Sequence, residues 1–191
     1  MDVYREQLKR KILWITRSSI LIALLIILQV ATAPLGQFVT GSIVNLILAV
    51  SVMTCGLATG LSVAAISPVM AKLWGIGLLW SLIPFIAAGN IVFVILWHCI
   101  GNRNMGHKCT AYVVALIAAA IAKFLVLYIG IVRVAIPMIL SLPEQQAAVI
   151  SIIFSIPQLI TALIGGGIAA LLLPALKSAT GENQQRHCDK I

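Results

Sequence analysis

Apolar residues in this chain fall in long, unbroken runs rather than in the one-faced or alternating patterns of soluble elements. The runs cover residues 12–33, 37–54, 78–100, 110–131 and 148–173, with a further segment leading from Gly56 to Trp74-Gly75. Turn signals separate them: Pro34-Leu35-Gly36, Gly56, the polar stretch from Gly101 to Lys108, and Pro143-Glu144-Gln145-Gln146. Most runs have the roughly 20 residues a helix needs to cross about 30 Å of hydrocarbon. A barrel would instead show segments of about ten residues with alternating polarity. Lipid offers no partner to exposed peptide groups, so continuous apolar runs of this length must cross as helices. The pattern predicts an all-α integral membrane protein, a bundle of about six transmembrane helices. Residues 1–11 read as a cytoplasmic amphipathic lead-in, 12–176 as the transmembrane domain and 177–191 as a polar cytoplasmic tail.

Composition agrees. The chain is 61% hydrophobic and 9% charged, with mean hydropathy +1.11; soluble domains are about 45–50% apolar and about 25% charged. A soluble fold of 191 residues has too little interior to hide so much apolar surface. The net charge of +8 does not mark a nucleic-acid interface, because the cations flank the spans. With the N-terminus inside and six spans, the cytoplasm holds Arg5, Lys9, Arg10, Lys11, Arg17, Arg103, Lys108, Lys177, Arg186 and Lys190. Only Lys72, Lys123 and Arg133 fall elsewhere, so the positive-inside rule places both termini in the cytoplasm and the chain in the cell membrane. Trp14 and Trp97 are then expected at the inner interface, Trp74 and Trp80 at the outer one. Cys55, Cys99, Cys109 and Cys188 fall on the reducing side, which argues against a disulfide framework. The basic, then apolar, N-terminal segment imitates a secretory signal, but Pro34 directly after Ala31-Thr32-Ala33 disfavours cleavage, and a retained first helix is expected.

The acids change the picture most. Asp2, Glu6, Glu144, Glu182 and Asp189 are the only five, leaving none between Glu6 and Glu144. That removes carboxylate pairs for acid–base chemistry and the acidic relays of proton-driven transporters. No Walker-type glycine loop is present either, so the chain is expected to be neither an enzyme nor an ATPase. His98, Cys99, His107 and Cys109 match no standard zinc spacing, and no metal or cofactor is expected.

Against this background Lys123 stands out, deep in the fifth span. A cation near the bilayer centre costs roughly 2.5–3.5 kcal/mol on insertion scales. Two placements are open: toward an anionic ligand, or snorkelling to the outer headgroups. Lys72 and Arg133 read as headgroup anchors that would still make the outer mouth attractive to anions. Asn45, Asn90, Gln158 and Thr161 add hydrogen-bonding capacity that lipid cannot satisfy, either as ligand contacts or as glue between helices. Pro68, Pro84 and Pro157 interrupt the helical ladder near them, as in broken helices that line a cavity. Gln37-Phe38-Val39-Thr40 weakly echoes Gln158-Leu159-Ile160-Thr161, without implying duplication. Ser19 and Ala23 form a small-xxx-small pair on the first span that would let another helix approach closely, within this chain or from a partner.

The segments Pro34-Leu-Gly-Gln-Phe-Val-Thr-Gly-Ser-Ile-Val-Asn45, Pro84-Phe-Ile-Ala-Ala-Gly-Asn90, Ala122-Lys-Phe-Leu-Val-Leu-Tyr128 and Pro157-Gln-Leu-Ile-Thr-Ala-Leu-Ile-Gly165, with Leu171-Leu-Leu-Pro-Ala-Leu-Lys177, resemble those of the S components of energy-coupling factor (ECF) transporters. The resemblance runs from Arg17 to Lys177. It implies a six-helix protein that captures a vitamin or similar micronutrient at its outer face. It also implies docking through the first span onto a transmembrane coupling protein driven by a pair of ATPases. Two alanines four apart often form that contact in the family; Ser19 and Ala23 stand at the nearest equivalent here. The candidate substrate contacts are Gln37, Thr40, Asn45, Asn90, Lys123, Gln158, Thr161 and Arg133. The excess of cations suggests an anionic nutrient, a requirement that pantothenate, a folate or haem would meet. A small transporter or channel working alone is the alternative, and a membrane enzyme of lipid metabolism ranks last for want of acidic motifs.

Overall fold

The computed structural model describes residues 2–76, 79–103, 108–140 and 142–179. Its elements follow the apolar runs. Helix α1 (Asp2–Thr32) is 31 residues long and continuous, so the lead-in and the first span are one helix. Nothing in its sequence breaks the ladder between them. The described side chains from Tyr4 to Arg17 are exposed. Packing begins at Ser18, whose Oγ donates to Thr59 Oγ1 at 3.3 Å.

A short 3₁₀ turn (Ala33–Leu35) carries Pro34 and ends on Gly36 at φ 89°. Helix α2 (Gln37–Cys55) then runs back to Gly56, again at φ 89°. Both reversals need a backbone conformation that side chains with a Cβ resist, so glycine makes these two tight turns possible. Helix α3 (Leu57–Leu73) is a shorter apolar helix of 17 residues, about 26 Å of rise. A 3₁₀ turn (Trp80–Leu82) leads into α4 (Ile83–Gly101), which carries Pro84 in its first turn, where a missing N–H costs nothing.

Two elements depart from the sequence expectation. Helix α5 (Lys108–Leu127) does not stop near residue 131; it widens into π-type turns from Tyr128 to Leu140. In a normal helix Pro137 would press against the carbonyl four residues back and could not bond to it. The wider i→i+5 winding accommodates it, and the apolar run stays helical to Leu140. The sixth span is not one helix but two, α6 (Glu144–Ile153) and α7 (Ile156–Ala179), broken at Phe154-Ser155. Pro157 is the cause: four residues before it lies Ile153, where α6 ends.

Taken through their breaks, five of these segments are long and apolar enough to cross a membrane, with α3 a shorter apolar helix among them. The protein is an all-α membrane bundle. Its interior holds two apolar clusters. The larger, with Leu48, Val52, Val63, Phe93, Trp97, Ala119 and Ala162, joins α1, α2, α3, α4, α5 and α7. The smaller, made of Leu82, Leu127, Ile131, Ala135, Ile150 and Phe154, ties the start of α4 to the end of α5 and to α6. Trp97 belongs to the first of these and is fully buried, tilted against Phe93 and Tyr112. It is a core residue and not an interfacial anchor, because Gly166 on α7 leaves room for its ring. Trp14, Trp74 and Trp80 are exposed.

The tightest helix contact is between α2 and α7. A Cβ at Gly165 would run into the Ser42 carbonyl oxygen and Asn45 Cβ, and one at Gly41 would lie 3.1 Å from Thr161 Cγ2. Small residues at these points let the two backbones approach, as in other membrane helix pairs. This contact fixes the height of Asn45, which carries into the site.

A candidate substrate cavity around Lys123

Between the two apolar clusters lies a polar cavity of about 130 Å³. Its lining comes from the end of α1, the start of α2, the end of α3, the start of α4, Lys123 on α5, and the α6–α7 break. The lining lies toward the end of the bundle where α1 finishes and α2 begins.

Lys123 is the centre of it. Its side chain is 3% exposed and turned into the bundle, so it does not snorkel. Nζ donates to Asn45 Oδ1 at 2.6 Å and to Asn90 Oδ1 at 2.7 Å. It also sits 5.5 Å from the centroid of the Phe93 ring, within range of a cation–π attraction. Both hydrogen-bonding partners are neutral amides. They solvate the ammonium group but do not cancel its charge, and none of the described acids lines the cavity.

The two amides are themselves held by backbone. Asn45 Nδ2 donates to Gly41 O at 2.9 Å. Asn90 Nδ2 reaches Ala64 O at 3.5 Å and Ser67 Oγ at 3.4 Å. The Ala64 carbonyl is available because Pro68, four residues on, has no N–H to give it. The same device recurs at the α6–α7 break, where Gln158 Nε2 reaches the Ile153 carbonyl freed by Pro157, at 3.5 Å. Prolines thus free acceptors, and the amide side chains of the cavity take them up.

Six of the eight residues singled out from the sequence line this cavity: Gln37, Thr40, Asn45, Asn90, Lys123 and Gln158. Thr40 is tied down by its Oγ1 donating to Thr32 O at 3.0 Å. Thr161 and Arg133 do not line it. Thr161 is fully buried, donates to Gln158 O at 3.1 Å and packs on Gly41, so its place is in the α2–α7 contact. Arg133 is exposed on the π-type segment, its guanidinium 5.9 Å from the Tyr128 ring centroid. Lys72, expected at the headgroups, instead belongs to the cavity wall. Gln29 and Ser67 also line it and were not singled out, although a glutamine within the apolar run Ile20–Val30 was a visible signal. Ser19 and Ala23 are both exposed on α1. His107 of the possible zinc group lies outside the described residues; among those described, no cluster of three metal-ligating side chains occurs.

Fold and site together define a multi-pass membrane protein whose helices enclose a lysine-bearing cavity that none of the described acids lines. No protein-family model, curated protein or solved structure matches the chain.

Proposed function

We propose that this chain is the substrate-capture subunit of an ECF-type importer, taking up a small anionic micronutrient through the cavity around Lys123. One observation carries the reading: a lysine held inside the bundle by two neutral amides, facing a cavity that has no counter-charge among the described residues. Burying an uncompensated cation is expensive, and an anionic solute would supply the missing charge. The absence of acids from Glu6 to Glu144 supports an anion over a cation as the cargo. The cation distribution supports cytoplasmic termini and an outward cavity end, as uptake requires. The exposed Ser19–Ala23 face of α1 is the surface we assign to the coupling protein, with its ATPase pair supplying the energy that this chain has no motif to harvest.

The test is a gentle purification of the tagged chain from its own cells, followed by mass spectrometry of both the proteins and the small molecules that come with it. Wild type should carry a small organic anion and bring down a coupling protein with two ATPases. Lys123→Met should keep the proteins and lose the anion at least about tenfold, the scale of one charged hydrogen bond. Equal anion occupancy in the variant would remove Lys123 from the binding site. Uptake by this chain alone in liposomes, with no ATPases recovered, would favour a transporter that works unaided.

A further inference from the structure

Gln29 approaches the cavity from the last turn of α1 and is only 5% exposed, yet its Oε1 has no hydrogen-bond partner. A buried carbonyl oxygen left without a donor loses its hydration and regains nothing in exchange. Of the polar side chains lining the same cavity, Thr40 is held by Thr32, Gln158 by Ile153, and Asn90 by Lys123, Ser67 and Ala64. Among the described residues the other buried side-chain atom lacking a partner is Trp97 Nε1, which lies in the larger apolar cluster and not on the cavity. Gln29, with its unmet acceptor, and Lys123 therefore line one space from different helices. Around them the wall is aliphatic, with Val44, Pro68, Ile83, Ile86 and Ile153, and one aromatic ring, Phe154.

We propose that Gln29 is a specificity-determining residue that accepts a hydrogen bond from an N–H or O–H group of the captured solute. The solute is then a small aliphatic monoanion carrying a neutral donor apart from its acidic group. This rests on the anion-capture reading above and narrows it. A cationic amine does not fit as the donor, since among the described residues no carboxylate lines the cavity to receive it. The space of about 130 Å³ is close to that of a cavity holding a benzene-sized molecule, which suits a small solute.

The full-length chain in lipid nanodiscs would be titrated calorimetrically with two matched pairs of monocarboxylates. One pair is β-hydroxyisocaproate and isocaproate; the other is N-acetylleucine and its ketone analogue, in which a methylene replaces the amide N–H. In at least one pair the donor-bearing acid should bind about tenfold more tightly, the scale of one satisfied against one orphaned buried acceptor. Gln29→Met, which keeps the length of the side chain and removes the acceptor, should bring that pair near parity by weakening the donor-bearing member alone. Equal affinity within both pairs on wild type, a comparison that needs no variant, would overturn the role of Gln29 and leave anion capture standing. A preference that persists in Gln29→Met would do the same. Failure of all four acids to bind at millimolar concentration would overturn the proposal together with the anion reading beneath it.

Discussion

At the scale of single residues, the site depends on the difference between an amide and a carboxylate. Asn45 and Asn90 present oxygens to Lys123 at 2.6 and 2.7 Å without bringing charge. Replacing one oxygen-bearing amide by an acid would supply the internal counter-ion that the chain lacks. Asn90→Asp is the better choice, because its donated bonds, at 3.4 and 3.5 Å, are long and cost little to lose. The variant should fold and insert normally while its affinity for an anionic solute falls about tenfold or more, as read by titration. Undiminished affinity would mean that the charge of Lys123 is not what the solute meets. Lys123, Asn45 and Asn90 could be picked out of the sequence because polar atoms in a lipid-length run need a reason to be there. Their mutual bonding could not, since it depends on how three helices are rotated. Arg133 illustrates the other side: its chemistry suited the site, but the winding after Tyr128 turns it outward.

At the scale of helices, the prolines and glycines decide geometry. The cavity exists where Pro68 and Pro157 interrupt normal bonding, and the α2–α7 contact exists where Gly165 lets α2 come close. Gly165→Ala would drive a methyl group into the Ser42 carbonyl and Asn45 Cβ, so one helix must move. We expect a destabilisation of about 1–3 kcal/mol, typical of overpacking, seen as a lower melting temperature in detergent. Solute affinity should weaken too, because Asn45 shifts with α2. An unchanged melting temperature would show that the α2–α7 spacing has slack. Span positions were legible from the apolar runs to within a few residues in α2, α3 and α4. The division of the last span was foreshadowed by Pro157, but a proline can kink a helix as well as split it. The long π-type stretch had no sequence signal beyond Pro137.

At the scale of the whole molecule, orientation is written in loop charges. It can be checked with native thiols. Cys55 is half-buried at the end of α2, and Cys99 and Cys109 are exposed, all at the bundle end where α2 and α4 finish and α5 begins. A membrane-impermeant maleimide should leave them unlabelled in intact cells and label Cys99 and Cys109 in inside-out vesicles. Labelling from the outside would invert the topology and close the cavity to external solutes. The fold class was readable because a membrane restricts a chain to few solutions. The cavity was not, because its shape arises from where two apolar clusters fail to meet.

That separation has a mechanical consequence. The smaller cluster contains six buried side chains against eighteen in the larger, and the polar layer around Lys123 lies between them. Parting α6 and the π-type segment from the rest breaks the lesser set of apolar contacts and leaves the greater one whole. Local openings follow the weakest such seam. Local opening is therefore expected first at this crown of α6 and the π-type segment, ahead of any unpacking of the larger trunk.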